Sequence, residues 1–423
     1  MIITLLNRVK IPSSFLHKTV IPLTLCGDKK SFLSNPLHYI HFYCKEQEKE
    51  KETETENKNE PGKGTHEKNP TLDAEILRFL EEIDDLPSVD DLIHVVETCK
   101  RSKNVNICKR LHVQVCNCGL ESHKVIGNNI VQMFVGCGSF TDAHHVFSIL
   151  SEQNICTWTC LMLGYIQYDD VSSFQAIDLY EKMNCFKLHP NCCTFVALLK
   201  TCISLNDLNR GRDAHREIIC RGFEEDLFIG STLVDMYGKC QSLQEAEDVF
   251  LKLPIRNVVS WSALILAYIE HGYAHEALEC FKKMQYEDRV SPDTITYIAI
   301  LKACGCLKDM HEAHHMHNAI INRGLERERH MGNCLIDTYA KCGSLQEACQ
   351  ILTKLPFRDV VSWTALFTGY SEHGSDEDLL QCFDIMQMEG ISPDVNIFAS
   401  VLKVCGKIGA INKGREIHRL AER

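Results

Sequence analysis

Gly230-Ser-Thr-Leu-Val-Asp-Met-Tyr-Gly-Lys-Cys240-Gln-Ser-Leu-Gln-Glu-Ala246 occurs in this chain three times in related forms. An earlier copy runs Gly127-Asn-Asn-Ile-Val-Gln-Met-Phe-Val-Gly-Cys137-Gly-Ser-Phe-Thr-Asp-Ala143. A later copy runs Gly332-Asn-Cys-Leu-Ile-Asp-Thr-Tyr-Ala-Lys-Cys342-Gly-Ser-Leu-Gln-Glu-Ala348. The copies lie 103 and 102 residues apart. Trp158, Trp261 and Trp363 keep those spacings, and His112, His215, His317 and His418 keep them to within a residue. Self-similarity of this kind marks a repeat architecture, and a period near a hundred is itself a triplet of smaller units.

Each smaller unit reads as two short antiparallel helices, as 227–257 shows. Leu233, Val234 and Tyr237 mark one apolar stripe; Leu243, Ala246, Val249, Phe250 and Leu253 mark the next at intervals of three and four. Between them Ser242 is placed to cap the second helix, with Glu245 completing a capping box, and Pro254 ends it. So short a pair cannot bury its apolar face alone. Neighbours must stack, which predicts an all-α fold: a right-handed α-solenoid superhelix of two-helix repeats with a long groove.

The 423 residues are 45% hydrophobic and 24% charged, the profile of a folded chain. No apolar run reaches the roughly 18 residues of a membrane span, so no membrane partner is expected. The 23 cysteines recur at helical positions, Cys137, Cys240 and Cys342 in one motif and Cys99, Cys202, Cys304 and Cys405 in another. They read as buried thiols in a reducing compartment. A net charge of -12 argues against tight non-specific duplex binding, since phosphate neutralisation normally supplies that affinity. It leaves room for a narrow basic stripe.

The ends differ from the repeats. Residues 1–44 carry Arg8, Lys10, Lys18, Lys29 and Lys30, with Asp28 the only acid before Glu46, the pattern of an organelle-targeting peptide. Residues 45–70 alternate Lys and Glu without apolar residues and read as a disordered charged spacer. Residues 71–88 read as a short helical lead-in, and 89–423 as the array.

The Tyr-Ala-Lys-Cys-Gly-Ser-Leu run at 339–345, Val-Val-Ser-Trp at 360–363 and Ile-Ser-Pro-Asp at 391–394 resemble the plant pentatricopeptide repeat family. The closest pattern is the subclass that alternates standard, long and short repeats. The resemblance covers 89–423. Its register gives about ten units: long ones starting at Val89, Cys192, Thr294 and Val395, short ones at Lys124, Leu227 and Arg329, standard ones at Ile155, Val258 and Val360. The last is incomplete. The His-x-Glu and Cys-x-x-Cys zinc signature of the deaminase-like domain that often follows such arrays does not occur, which suggests a truncated product or a lost effector region.

The resemblance implies that the fifth and last residues of each repeat read one RNA base, consistent with helical repeats that use two or three side chains per base. The pairs are Asn128 with Asn154, Thr159 with Asn191, Ser231 with Asn257, Ser262 with Asp293, Asn333 with Asp359, and Thr364 with Asp394. They imply pyrimidine, A, A, G, U and G. Ile93, Val196, Ile298 and Ala399 at the fifth position of the long repeats offer no polar group, so the implied footprint from 5′ to 3′ is n-Y-A-n-A-G-n-U-G-n. Second-position residues such as Val125, Val259 and Val361 are implied to wedge between bases. An Asn or Ser in such a place also serves as an ordinary capping or solvent-facing residue.

The function implied is sequence-specific binding of single-stranded RNA in an organelle: the mitochondrion, with the chloroplast as alternative. Within it the chain would be a specificity factor for C-to-U editing with a deaminase in trans. RNA stability or splicing, a protein-interaction scaffold and a non-functional fragment are the competing readings. No catalytic residue, cofactor or metal is expected. His311-Glu-Ala-His-His315 matches a zinc-protease pattern formally, but the neighbouring long repeat has Asn209, Arg210 and Asp213 there. Cys116-Asn-Cys118 and Cys192-Cys193 lack zinc-ligand spacing, and the fourfold histidine suggests packing.

Overall fold

The structure is a computed structural model that describes residues 73, 76–78, 88–168, 173–374 and 376–422. The expected targeting peptide and charged spacer lie outside the described residues; of the lead-in, 73 and 76–78 are helical. The described residues contain no strand. They divide at Cys240 into two compact units.

The first unit pairs α1 (Val89–Ser102) with α2 (Val105–Asn117), α3 (Lys124–Gly136) with α4 (Phe140–Ile149), α5 (Ile155–Tyr168) with α6 (Ser173–Cys185), and α7 (Cys192–Leu205) with α8 (Leu208–Cys220), and ends on α9 (Leu227–Lys239). The second opens on α10 (Leu243–Lys252). It then pairs α11 (Val258–Glu270) with α12 (Ala274–Tyr286), α13 (Thr294–Leu307) with α14 (Met310–Asn322), α15 (Arg329–Lys341) with α16 (Leu345–Lys354), α17 (Val360–His373) with α18 (Asp376–Met388), and α19 (Val395–Ile408) with α20 (Ile411–Ala421). The odd-numbered helices are first helices, and they begin at the ten repeat starts read from the sequence.

Within each unit every first helix packs on the next first helix and on its own second helix, so stacked pairs bury a continuous core, as an α-solenoid must. The expected stripes are inside: Leu233, Val234, Tyr237, Ala246, Val249, Phe250 and Leu253 are all buried, while Leu243 is half-buried. The repeated tryptophans are core residues. Trp158 meets Phe147 edge-on at 4.7 Å, and Trp261 meets Phe250 at 4.6 Å. A Cβ on Gly127 would stand 2.2 Å from Leu150 Cδ2 and 2.9 Å from the Glu121 carbonyl oxygen, so this close approach needs glycine.

Two details differ from expectation. Ser242 stands at the N-cap of α10, but its hydroxyl donates to Glu245 Oε2 at 2.6 Å and caps no backbone N–H. With ψ at 73° the residue is outside the extended region of a normal cap, and the carboxylate is the stronger acceptor. The histidines are not uniform either. His215 Nδ1 meets the Tyr237 hydroxyl at 2.8 Å and His317 Nδ1 the Tyr339 hydroxyl at 2.9 Å, packing roles as expected, whereas His418 is exposed beside Glu422. Cysteines of the described residues are free thiols, and Cys99, Cys202, Cys304 and Cys405 are buried.

Candidate functional site

The last residue of each repeat is the N-cap of the next first helix, where four backbone N–H groups lack helical partners. Asn191 Oδ1 accepts the Thr194 N–H at 3.0 Å, and Asn257 Oδ1 accepts that of Ser260 at 2.9 Å. Asp293 Oδ1 accepts from Thr296 at 2.8 Å, Asp359 Oδ1 from Ser362 at 2.9 Å and Asp394 Oδ1 from Ile397 at 2.8 Å. Asn154 Oδ1 does the same for the Thr157 N–H at 2.8 Å. The capping reading is therefore true of all six last residues.

The cap also fixes chemical polarity. An asparagine that gives Oδ1 to the helix turns its Nδ2 donor the other way, whereas an aspartate there has a second oxygen and remains an acceptor. One carboxylate illustrates the consequence. Asp359 experiences burial, which works to raise its pKa, but hydrogen bonds from Ser362 and Asn333 and the charge of Arg329 outweigh it and hold the carboxyl below its usual value.

Five fifth-position residues lie in the same unit as their last-position partners, and all five connect to them. Thr364 Oγ1 stands 3.1 Å from Asp394 Oδ2, and Asn333 Nδ2 stands 3.3 Å from Asp359 Oδ1. Elsewhere a hydroxyl in the first turn of the next helix bridges. Thr159 meets Thr194 at 3.0 Å and Thr194 meets Asn191 at 2.9 Å; Ser262 meets Thr296 at 2.6 Å and Thr296 meets Asp293 at 2.7 Å. Asn128 Oδ1 takes the Asn154 N–H at 3.3 Å and stands 2.5 Å from the Thr157 hydroxyl. Ser231 and Asn257 belong to different units; Ser231 donates to the Leu227 carbonyl at 2.7 Å.

Sequence reading left one feature unseen. Asn128, Thr159, Ser231 and Ser262 are buried, and Asn128, Thr159 and Ser262 buttress the last residue more than they project. Asn333 is half-buried, and its Oδ1 is buried with no hydrogen-bond partner. An unmet acceptor costs about 1–3 kcal/mol, which a ligand N–H relieves.

At the second position Val125 is 45% and Val361 57% exposed, while Val259 is half-buried. Phe228 and Ile295, at the same register and also exposed, were missed. The register itself was the signal.

Ninth and thirteenth residues of the first helices share a face with the fifth. In the first unit that face holds Lys200 and an ion pair of Lys239 with Asp235 at 2.9 Å. In the second it holds Lys302 and Lys403, a pair of Lys341 with Asp337 at 2.7 Å, and Lys407, which pairs with Asp376 of α18 at 2.7 Å. Burial lowers the pKa of Lys200. The same positions also carry Glu97, Glu270 and Glu372, so lysines and acids alternate along the first helices. Of the 311–315 histidines, His314 pairs with Glu347 of α16 at 2.8 Å, and His315 is exposed beside Glu312.

Comparison with known proteins places the repeats in a family. Residues 256–306 match the PPR repeat family, 358–408 the pentatricopeptide repeat domain and 333–359 the PPR repeat. The chain carries pentatricopeptide repeats. Among similar proteins of Arabidopsis thaliana, the chloroplastic pentatricopeptide repeat-containing protein CRR2 is 30% identical over 78% of this chain and 51% of its own length. A mitochondrial one is 31% identical over 74% of this chain and 30% of its own. The chain thus spans about half or less of these relatives. Among solved structures, the pentatricopeptide repeat protein PPR10 in complex with an 18-nt psaJ RNA element aligns with a TM-score of 0.64 at 18% identity, over 82% of this chain and 52% of that one. The PPR10 structure from maize aligns at 0.60. These likenesses show the fold.

Proposed function

We propose that the chain binds single-stranded RNA, one base per short or standard repeat, through the paired fifth and last residues. The observation that supports this reading is the cap: it orients each last residue, and in five of the six pairs hydrogen bonds join that residue to its fifth-position partner. Nδ2 of a capping Asn suits the ring-nitrogen lone pair of A or C; the acceptor oxygen of a capping Asp suits the ring N–H of G or U. That polarity agrees with the order pyrimidine, A, A, G, U, G inferred from the residue pairs. Asn333 Oδ1, buried and unmet, supports a ligand at the U position. Val125, Val259 and Val361 wedge between bases, and the lysines of the first helices hold the phosphates.

In this proposal the chain does no chemistry itself. It is a specificity factor in an organelle, the mitochondrion by its N-terminal composition or else the chloroplast, both of which occur in the names of its relatives. It directs C-to-U editing by a deaminase supplied in trans. The alternating standard, long and short register supports this assignment over RNA stability or splicing.

The test is binding of the full chain to n-Y-A-n-A-G-n-U-G-n RNA against the same RNA with the A and G positions exchanged, at fixed moderate salt. A clear preference is expected, moving from G toward A at one position in Asp394→Asn. Equal or absent binding to both RNAs sinks the code assignment and favours a protein-interaction scaffold or a fragment.

A further inference from the structure

One cluster of ligand-type side chains lies outside the base-facing helices. His112 and Cys116 stand four apart on α2, on one face, and Glu121 follows in the turn leading to α3. Their ligand atoms all lie within 4.8 Å of one another, with His112 Nε2 and Glu121 Oε1 3.3 Å apart. His112 Nε2 is buried and makes no hydrogen bond. Bond lengths of about 2.0–2.3 Å around a tetrahedral zinc place ligand atoms roughly 3.3–3.8 Å apart, so side-chain rotation alone closes the trio on an ion.

The equivalent places in later triplets provide an internal control. There the histidine Nδ1 meets a tyrosine hydroxyl, Tyr237 for His215 and Tyr339 for His317, and His317 Nε2, like His112 Nε2, is buried without a hydrogen bond. Isoleucines, Ile219 and Ile321, stand in the place of Cys116. Glu326, the counterpart of Glu121, pairs with Lys354 at 3.1 Å. The first triplet departs at three positions: Phe134 replaces the tyrosine, Cys116 the isoleucine, and Ile149 the lysine. Two of the changes favour an ion, since Cys116 adds a ligand and Ile149 removes the cation that holds the carboxylate, whereas Phe134 removes only the partner of Nδ1. A packing histidine needs none of them.

The geometry points to a single divalent metal site formed by His112, Cys116 and Glu121, suited to zinc, that clamps α2 to the turn before α3. One thiolate, one imidazole and one carboxylate with a fourth position open to water is a borderline-soft donor set of the kind zinc takes. Burial, followed by the charge and hydrogen bond of Glu121, pushes the Cys116 thiol up to about 11, so the free site holds a thiol whose proton the ion displaces. The sequence spacing alone resembled no zinc motif, because one ligand comes from the turn.

The test uses the metal-free full chain titrated with Co2+ as a spectroscopic probe and Zn2+ as competitor. One equivalent giving a thiolate-to-cobalt charge-transfer band, displaced by Zn2+ and lost in Cys116→Ile, is expected. Isoleucine is the residue the later triplets carry there, and helicity by circular dichroism checks the fold. Glu121→Gln, which keeps the thiol, is expected to weaken Co2+ binding at least about tenfold, and decides the matter if Cys116→Ile unfolds. A band absent from the parent chain, or unchanged in Cys116→Ile and Glu121→Gln, overturns the site.

Discussion

Within the second unit, the first helices of the long repeats and those of the short and standard repeats carry different chemistry on the same face. In α13 and α19 the fifth residue is Ile298 or Ala399 and the ninth is Lys302 or Lys403. In α15 and α17 the fifth is Asn333 or Thr364, each hydrogen-bonded to the next cap, and the ninth is Asp337 or Thr368. The first unit repeats the contrast with Val196 and Lys200 in α7. In α1 the ninth residue is Glu97, and Lys100 comes three places later. The difference suggests a division of labour: long repeats supply charge without selectivity, the others selectivity with little charge.

The largest effect expected on that comparison comes from removing the long-repeat lysines Lys200, Lys302 and Lys403 together as Gln. Affinity for every single-stranded RNA should fall, and the slope of log affinity against log salt should flatten by about two, at roughly 0.7 per lost phosphate contact. The preference for the footprint over its exchanged form should persist. A lost preference with unchanged salt slope would break the division. Next in size, Asn333→Ala should relax selectivity at the U position alone by about 1–3 kcal/mol, measured with single-base RNA variants. Ile298→Ala, at the equivalent place on a long repeat, should change base preference by less than about 0.5 kcal/mol.

The repeat starts were legible through the register that the family resemblance implies, laid on a triplet that the sequence copies. The fifth and last residues were legible as pairs only through family resemblance; composition gives no hint that Thr159 and Asn191 share a hydroxyl bridge through Thr194. Spacing alone could not reveal that Asn128, Thr159, Ser231 and Ser262 are buried, because a small polar residue on an amphipathic helix reads as surface. Ser242 misled for a related reason: its identity suits a cap, but its backbone angle and the nearby carboxylate turn the hydroxyl elsewhere. The trio of His112, Cys116 and Glu121 escaped because helix and turn bring it together.

The smallest effect concerns acid stability at one reading cap. Asp359 caps α17 and accepts from Asn333, and those bonds, with Arg329, hold its pKa below the usual value despite burial. A depressed carboxyl binds fewer protons folded than unfolded between the two pKa values. Its contribution is therefore complete above the unfolded value of about 3.9 and is lost as pH falls through the folded one. Asp359→Asn keeps the capping oxygen and removes the titration. Urea unfolding at stepped pH should show the parent chain losing stability relative to this variant only below about pH 4, with the gap constant at neutral pH. The same variant should move base preference at that position from U toward C, because the amide offers a donor where the carboxylate offered an acceptor. A changed acid profile without a changed base would separate the cap from the reader and leave Asp359 a purely structural residue.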